Sequence, residues 1–136
     1  MAKEAEFRAL SEEERTLIKT LLSLEFPGSK ELLAQLPVLL ARRVDEDGSL
    51  LFSVRSSSST LAGMRGGVAV EGSYPEDAPA TENAIRVNAL LHVREGKLWM
   101  LEIYKDDSSP LAGPIDPKKL VLFSPLVRAV RDRSAG

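Results

Sequence analysis

The stretch Ile85 to Tyr104, IRVNALLHVREGKLWMLEIY, constrains the fold more than any other. Two alternating apolar runs flank Arg94-Glu95-Gly96-Lys97, the pattern of a β-hairpin. The ribbon carries the chain's single histidine and single tryptophan. A one-residue slip in register exchanges the two faces of a strand, so the register decides which residues build the core. A two-residue turn at Glu95-Gly96 pairs Val93 with Leu98 and Leu91 with Met100. It puts Glu102 on the face of Val87, Ala89, Leu91 and Val93, and Trp99, Leu101 and Ile103 on the other. A three-residue loop with Gly96 in the left-handed position of a G1 bulge shifts the pairing by one. Leu91 then faces Trp99, Ala89 faces Leu101 and Val87 faces Ile103. The opposite face holds Arg86, Asn88, Leu90, His92, Leu98, Met100, Glu102 and Tyr104. This bulged register gives the cleaner core and is the one predicted.

Ahead of the hairpin, Ser11-Glu12-Glu13-Glu14 reads as a capping box, and three acids in a first turn suit the helix dipole. The stripe Leu17, Ile18, Leu21, Leu22 and Leu24 continues that helix, and Pro27-Gly28 ends it. Ser29 is the expected cap of a short second helix with Leu32, Leu33 and Leu36, closed by Pro37. Residues Val38 to Val44 and Leu50 to Val54 read as strands around a turn at Asp45-Glu46-Asp47-Gly48. Residues 56–60 form a polar loop, 61–67 are Gly-rich, Val68 to Gly72 is a short strand, and 75–83 is a surface loop. Leu120 to Phe123 suits an edge strand, or Leu126 to Val130 a last helical turn. Helices followed by strands imply an α+β fold with two N-terminal helices packed on an antiparallel sheet of about five strands. The helix stripe is expected to lie on the Leu91–Trp99 face. With 136 residues the chain has the length of one domain, 1–136, and its termini and residues 125–136 are the segments expected to be mobile.

Composition narrows the function classes. The absence of cysteine excludes disulfides, thiolate zinc sites and thiol catalysis, and fits a reducing cytoplasm. The opening MAKEAEFRAL lacks the apolar core of a signal peptide, and no apolar run approaches the ~18 residues of a membrane span. A net charge of −2 argues against a dedicated nucleic-acid binder. Charge is uneven: five glutamates meet Lys3 and Arg8 in residues 1–14, while residues 117–136 carry five basic residues and Asp132. Two solvated ends explain that, since exposed charges contribute little.

No catalytic set emerges. His92 is the obvious general-base candidate, but it shares the second face with Leu90 and Leu98 and lies about 13 Å along the strand from Asn88, the residue opposite Glu102. His92 and Glu102 are therefore not expected to touch, and a lone strand histidine is more often a half-exposed packing residue. Asp106-Asp107 with Glu102 matches no calcium loop and reads as a turn, as does Asp45 to Gly48, so no metal site is assigned. Gly63-Met64-Arg65-Gly66-Gly67 lacks the lysine and spacing of a phosphate loop. The serine run at 56–59 lacks the context of a serine nucleophile.

Two segments resemble a bacterial family of uncharacterised small proteins. Residues 10–36, LSEEERTLIKTLLSLEFPGSKELLAQL, carry a Leu-Ser-x-Glu-Glu-Arg opening and the Phe26-Pro27-Gly28 break. Residues 90–111, LLHVREGKLWMLEIYKDDSSPL, are similar to a Leu-His-Val-Arg-x-Gly-x-Leu hairpin with a Glu-x-Tyr sequel. Some members have a Cys/Gly-rich turn where this chain has Asp45 to Gly48, and that departure removes a thiolate site here. The resemblance implies a bacterial cytoplasmic α+β domain and no assigned activity.

These readings together predict a non-enzymatic protein-interaction domain, of accessory or immunity type, that needs no cofactor and meets another protein rather than nucleic acid or membrane. The partner surface is expected at Leu90, Leu98 and Met100. The alternative is a small-ligand-binding protein or enzyme with a pocket at His92, Glu102 and Tyr104. A pocket lined by those three would favour the alternative, and a flat exposed apolar patch the first reading.

Overall fold

All seven strands of the computed structural model, which describes residues 6–54, 63, 66–76 and 84–127, join one antiparallel sheet. In chain order the elements are β1 (Arg8–Ala9), α1 (Glu12–Leu21), α2 (Ser29–Ala34), β2 (Leu39–Arg43), β3 (Leu50–Val54), β4 (Gly66–Pro75), β5 (Arg86–Arg94), β6 (Lys97–Lys105) and β7 (Val121–Phe123). Short 3-10 turns lie at Leu36–Val38 and Pro117–Lys119, and residues 125–127 are helical. The sheet order is β1-β2-β3-β6-β5-β4-β7, with the β5–β6 hairpin at its centre. The α+β class agrees with the sequence; the count of about five strands and two helices becomes seven strands and three α-helical segments. β1 was missed because two residues carry no periodicity. The expected loop at 56–60, most of the Gly-rich segment and of the 75–83 loop, and the final residues from 128 lie outside the described residues.

The capping box forms as the sequence dictates. Ser11 Oγ accepts from Glu14 N–H at 3.1 Å, and Glu14 Oε1 accepts from Ser11 N–H at 2.8 Å. The helix stops at Leu21 rather than Leu24, with Leu22 as its C-cap. Leu17, Ile18 and Leu21 are buried, each contributing about 1.5–3 kcal/mol of apolar burial. The cap of α2 is Gly28, at φ 96°, and not Ser29. Ser29 Oγ instead accepts from the Phe26 N–H. Pro37 sits inside the 3-10 turn that follows α2.

The core lies between these helices and one face of the sheet. It joins Ile18, Leu21, Leu32 and Leu36 to Ala89, Leu91, Val93, Leu98, Leu101 and Ile103. The register that achieves this is neither of the two uniform ones. Glu95 (φ 52°) and Gly96 (φ 77°) make a two-residue turn with both central residues left-handed, so Arg94 pairs with Lys97 and Val93 with Leu98. The ladder then shifts, and His92 pairs with Met100 and Leu91 with Leu101. Trp99 is the extra residue. The expected G1 bulge is thus displaced three residues from the turn. The physical reason is the spacing of Leu98, Leu101 and Ile103: no uniform register brings all three to the core, and one bulge does. Two expectations are corrected. Leu98, placed on the second face, is 2% exposed in the core. Trp99, placed opposite Leu91 in the core, lies on the His92 face.

Gln35 secures the displaced bulge. Its side chain, 0% exposed, donates from Nε2 to Gly96 O at 2.8 Å and accepts the Leu98 N–H on Oε1 at 2.9 Å.

Candidate functional site on the open sheet face

His92 lies on the strand between two bulges. On one side Val68 pairs with His92 and Val70 with Leu91, leaving Ala69 as an extra residue in β4. On the other side Trp99 is extra in β6. Bulges re-aim side chains and concentrate beside functional sites. The Ala69 carbonyl is not orphaned, because Ser124 Oγ donates to it at 2.7 Å. The Trp99 bulge turns the indole onto the His92 face. Its ring meets the imidazole edge-on, with centroids 6.2 Å apart and planes at 88°. The Arg94 guanidinium stacks over the indole at 5.3 Å, a cation–π contact that holds both side chains at the surface.

His92 and Glu102 do touch, against expectation. Nε2 of His92 and Oε1 of Glu102 are 3.0 Å apart, with side chains 20% and 45% exposed. The register explains the difference. Glu102 pairs with Leu90, one diagonal step from His92, and it is Tyr104 that faces Asn88. Diagonal neighbours on one face are within reach of long side chains. Tyr104 is exposed and does not join the pair among the described hydrogen bonds. Its hydroxyl is held above the usual phenol range, first by partial burial and then by the charges of Glu102, Asp106 and Glu71. Asn88 Nδ2 donates to Asp106 Oδ1 at 2.8 Å beside it.

Leu90 and Met100 are half-buried on this face, while Leu98 is absent from it. The face extends across β4 to β7, where Glu71 pairs with both Leu90 and Phe123, and Val121 is 67% exposed. Arg94, Glu71 and Phe123 were not among the residues singled out by sequence. Phe7 lies over the β2 edge of the face, its ring 5.2 Å from the Arg42 guanidinium.

A groove of about 1030 Å³ lies elsewhere, between the start of α1, the β2–β3 turn and residues 111–117. His92, Glu102 and Tyr104 do not line it. Three of its six carboxylates have structural work: Glu14 is bonded to Arg8 at 2.6 and 2.9 Å, Asp47 accepts from Leu111 N–H and Asp116 from Lys118 N–H. The Arg8 bond is the main reason the Glu14 carboxyl sits below its ordinary range, with burial opposing it and Ser11 helping.

What the face can do chemically is limited. The Glu102 carboxylate can accept the Nε2 proton of His92, and Nδ1 makes no hydrogen bond among the described residues. No serine or threonine hydroxyl bonds to His92, and no group of three or more potential metal ligands occurs among the described residues. The described helices are too short and polar to cross a membrane.

Residues 7–114 match the family described as a domain of unknown function, DUF6984. The chain belongs to this family. The DUF6984 span contains both the helical segment 10–36 and the hairpin segment 90–111, together with β1 to β6, and ends before β7. Neither the curated proteins nor the solved structures include a match. The DUF6984 description assigns no function.

Proposed function

We propose that this DUF6984 domain is a non-enzymatic protein-interaction module, acting in the cytoplasm of a bacterium, and that the open sheet face is its binding surface. One observation carries the reading. Trp99, Arg94, His92 and Tyr104 stand on one sheet face around Leu90 and Met100, while the described groove lies away from them. Trp, Tyr and Arg are the residues that most often anchor protein interfaces. Small ligands favour concave sites that enclose them, and this face offers an anchored platform instead.

A photo-crosslinking side chain at Met100, compared with one at Thr16 in the groove wall, tests this in the cells that make the protein. The expected result is a discrete adduct from position 100. Excess unlabelled protein should compete it away, and the Trp99→Ala protein should not. Adducts formed only from position 16, or insensitive to competition, would overturn the proposal.

The His92–Glu102 contact favours a second reading, in which His92, Glu102 and Tyr104 receive a small ligand. His92→Gln would then abolish ligand-induced chemical shifts at the hairpin.

A further inference from the structure

The charges on the open face follow a pattern that an arbitrary partner would not require. Arg94 and Lys97 pair with each other at the turn end of the hairpin. Four residues further along β5, about 13 Å away, Leu90 is flanked by Glu102 on β6 and Glu71 on β4. Midway between them runs the row Leu51, Met100, His92 and Val68, which crosses four strands and is bounded on β2 by Arg42, under the Phe7 ring at the edge of the face. Opposite charges therefore sit at equal distances on either side of a largely apolar row.

A two-fold axis lying along that row has a definite consequence. It turns a second copy face to face and reverses the strand direction, while each strand stays over its own counterpart. Lys97 then lies over Glu102 of the second copy. Arg94 lies over Leu90 between Glu102 and Glu71. The apolar row meets itself. The other in-plane axis, along β5, would exchange β4 with β6 and stack Glu71 on Glu102, which like-charge repulsion disfavours. Isologous pairing is also the commonest symmetry of soluble oligomers.

Resting on the reading of this face as an interaction surface, we infer that its occupant is a second copy of the chain, docked sheet to sheet about the Met100–His92 row. Aligned sheets pack at about 30°, with side chains meeting across about 10 Å. A contact region over the five strands β3, β6, β5, β4 and β7, which leaves Arg42 on β2 outside it, at about 4.8 Å per strand and of similar length, buries on the order of 1,000 Å² over both copies, at the low end for specific interfaces. The dimer should therefore be of micromolar affinity and weaken as salt screens its charges.

Sedimentation of the intact chain between 10 μM and 1 mM, with Lys97→Glu and Glu102→Lys variants, tests the inference. Circular dichroism first establishes that both variants are folded. Wild type should dimerise, and each variant should bind itself at least tenfold more weakly. An equimolar mixture of the two should recover association, because Glu at 97 then meets Lys at 102 in one of the two contacts and Lys at 97 meets Glu at 102 in the other. A wild-type chain that stays monomeric at 1 mM would overturn the inference, as would a dimer indifferent to both variants or a mixture that fails to associate. The Met100 crosslink separates this from the broader reading. An adduct with a different protein, alongside a monomeric chain, would refute self-association and leave the interaction surface intact. Loss of both would remove the surface as well.

Discussion

Replacing Gln35 by Leu should destabilise the domain by roughly 2–4 kcal/mol. The Gln35 carboxamide is the partner of two backbone groups at the turn and bulge, Gly96 O at 2.8 Å and Leu98 N at 2.9 Å. Both flanking residues are buried, and Gln35 itself is 0% exposed. Leucine has a similar volume, so little cavity forms and the change isolates the polar interaction. Each backbone group left without a partner costs about 1–3 kcal/mol, and removing the buried amide returns part of that. The remainder is a large share of the 5–15 kcal/mol that typically holds a domain together. Urea unfolding followed by the fluorescence of Trp99, the only tryptophan, measures it directly. Hydrogen exchange at the Leu98 amide gives a local readout, and protection there should fall more than at Leu91. A Gln35→Leu protein within 0.5 kcal/mol of the parent would refute the claim that this side chain holds the bulge.

Acid stability should depend on Glu14. Its carboxyl is lowered in the folded state, so the contribution is present above the unfolded carboxylate pKa of about 4.3 and disappears as pH falls through the lower folded value. Because the pair is open to solvent on its Arg8 side, Glu14→Gln should cost no more than about 1 kcal/mol at pH 7, and the difference should vanish near pH 2; an unchanged difference would exclude the Arg8 pair as its source. Tyr104, in turn, should ionise above the usual phenol value of about 10. The difference in alkaline absorbance titration between wild type and Tyr104→Phe isolates it, and Glu102→Gln should bring the midpoint down.

The local grammar of the chain was readable where a motif is satisfied by neighbours in sequence. Ser11 and Glu14 cap α1 with each other, and Asp45 to Gly48 turns between β2 and β3 as its residue types require. The failures are non-local. The two registers considered for Ile85 to Tyr104 each kept one phase along the whole ribbon. The structure changes phase at Trp99, where Gln35, 61 residues from Gly96, satisfies the backbone. The signal was present in the spacing of three between Leu98 and Leu101, which a strict two-residue period cannot place on one face. The error carried directly into the site. An offset of one residue at Leu98 sent that side chain to the surface and hid Trp99 in the core, and the two-residue offset beyond the bulge separated His92 from Glu102. Arg94 and Glu71 went unnoticed because their significance lies in the rows they share across β4, β5 and β6. That arrangement depends on sheet order, which no stretch of sequence specifies.

The same spacing makes the Trp99 bulge testable as a feature of the face rather than of the fold. Without Trp99, Lys97, Leu98, Met100, Leu101, Glu102 and Ile103 alternate strictly between the two faces. Arg94–Lys97, Val93–Leu98, His92–Met100 and Leu91–Leu101 would all remain paired, now in one continuous ladder. The core keeps Leu98, Leu101 and Ile103, and the ladder gains regularity, while the half-buried indole is lost. Deletion of Trp99 should therefore leave a folded domain within roughly 1–2 kcal/mol of the parent, the two effects opposing each other. Circular dichroism must follow the unfolding, since the deletion removes the fluorophore. The face should respond differently. Arg94 loses the ring it stacks on and His92 its edge contact, so self-association in sedimentation should fall at least tenfold. A deletion that unfolds the domain would show that the bulge is required by the core. One that folds and still dimerises like the parent would show that Trp99 contributes nothing to the surface, and the reading of the double bulge around His92 as a binding device would fail.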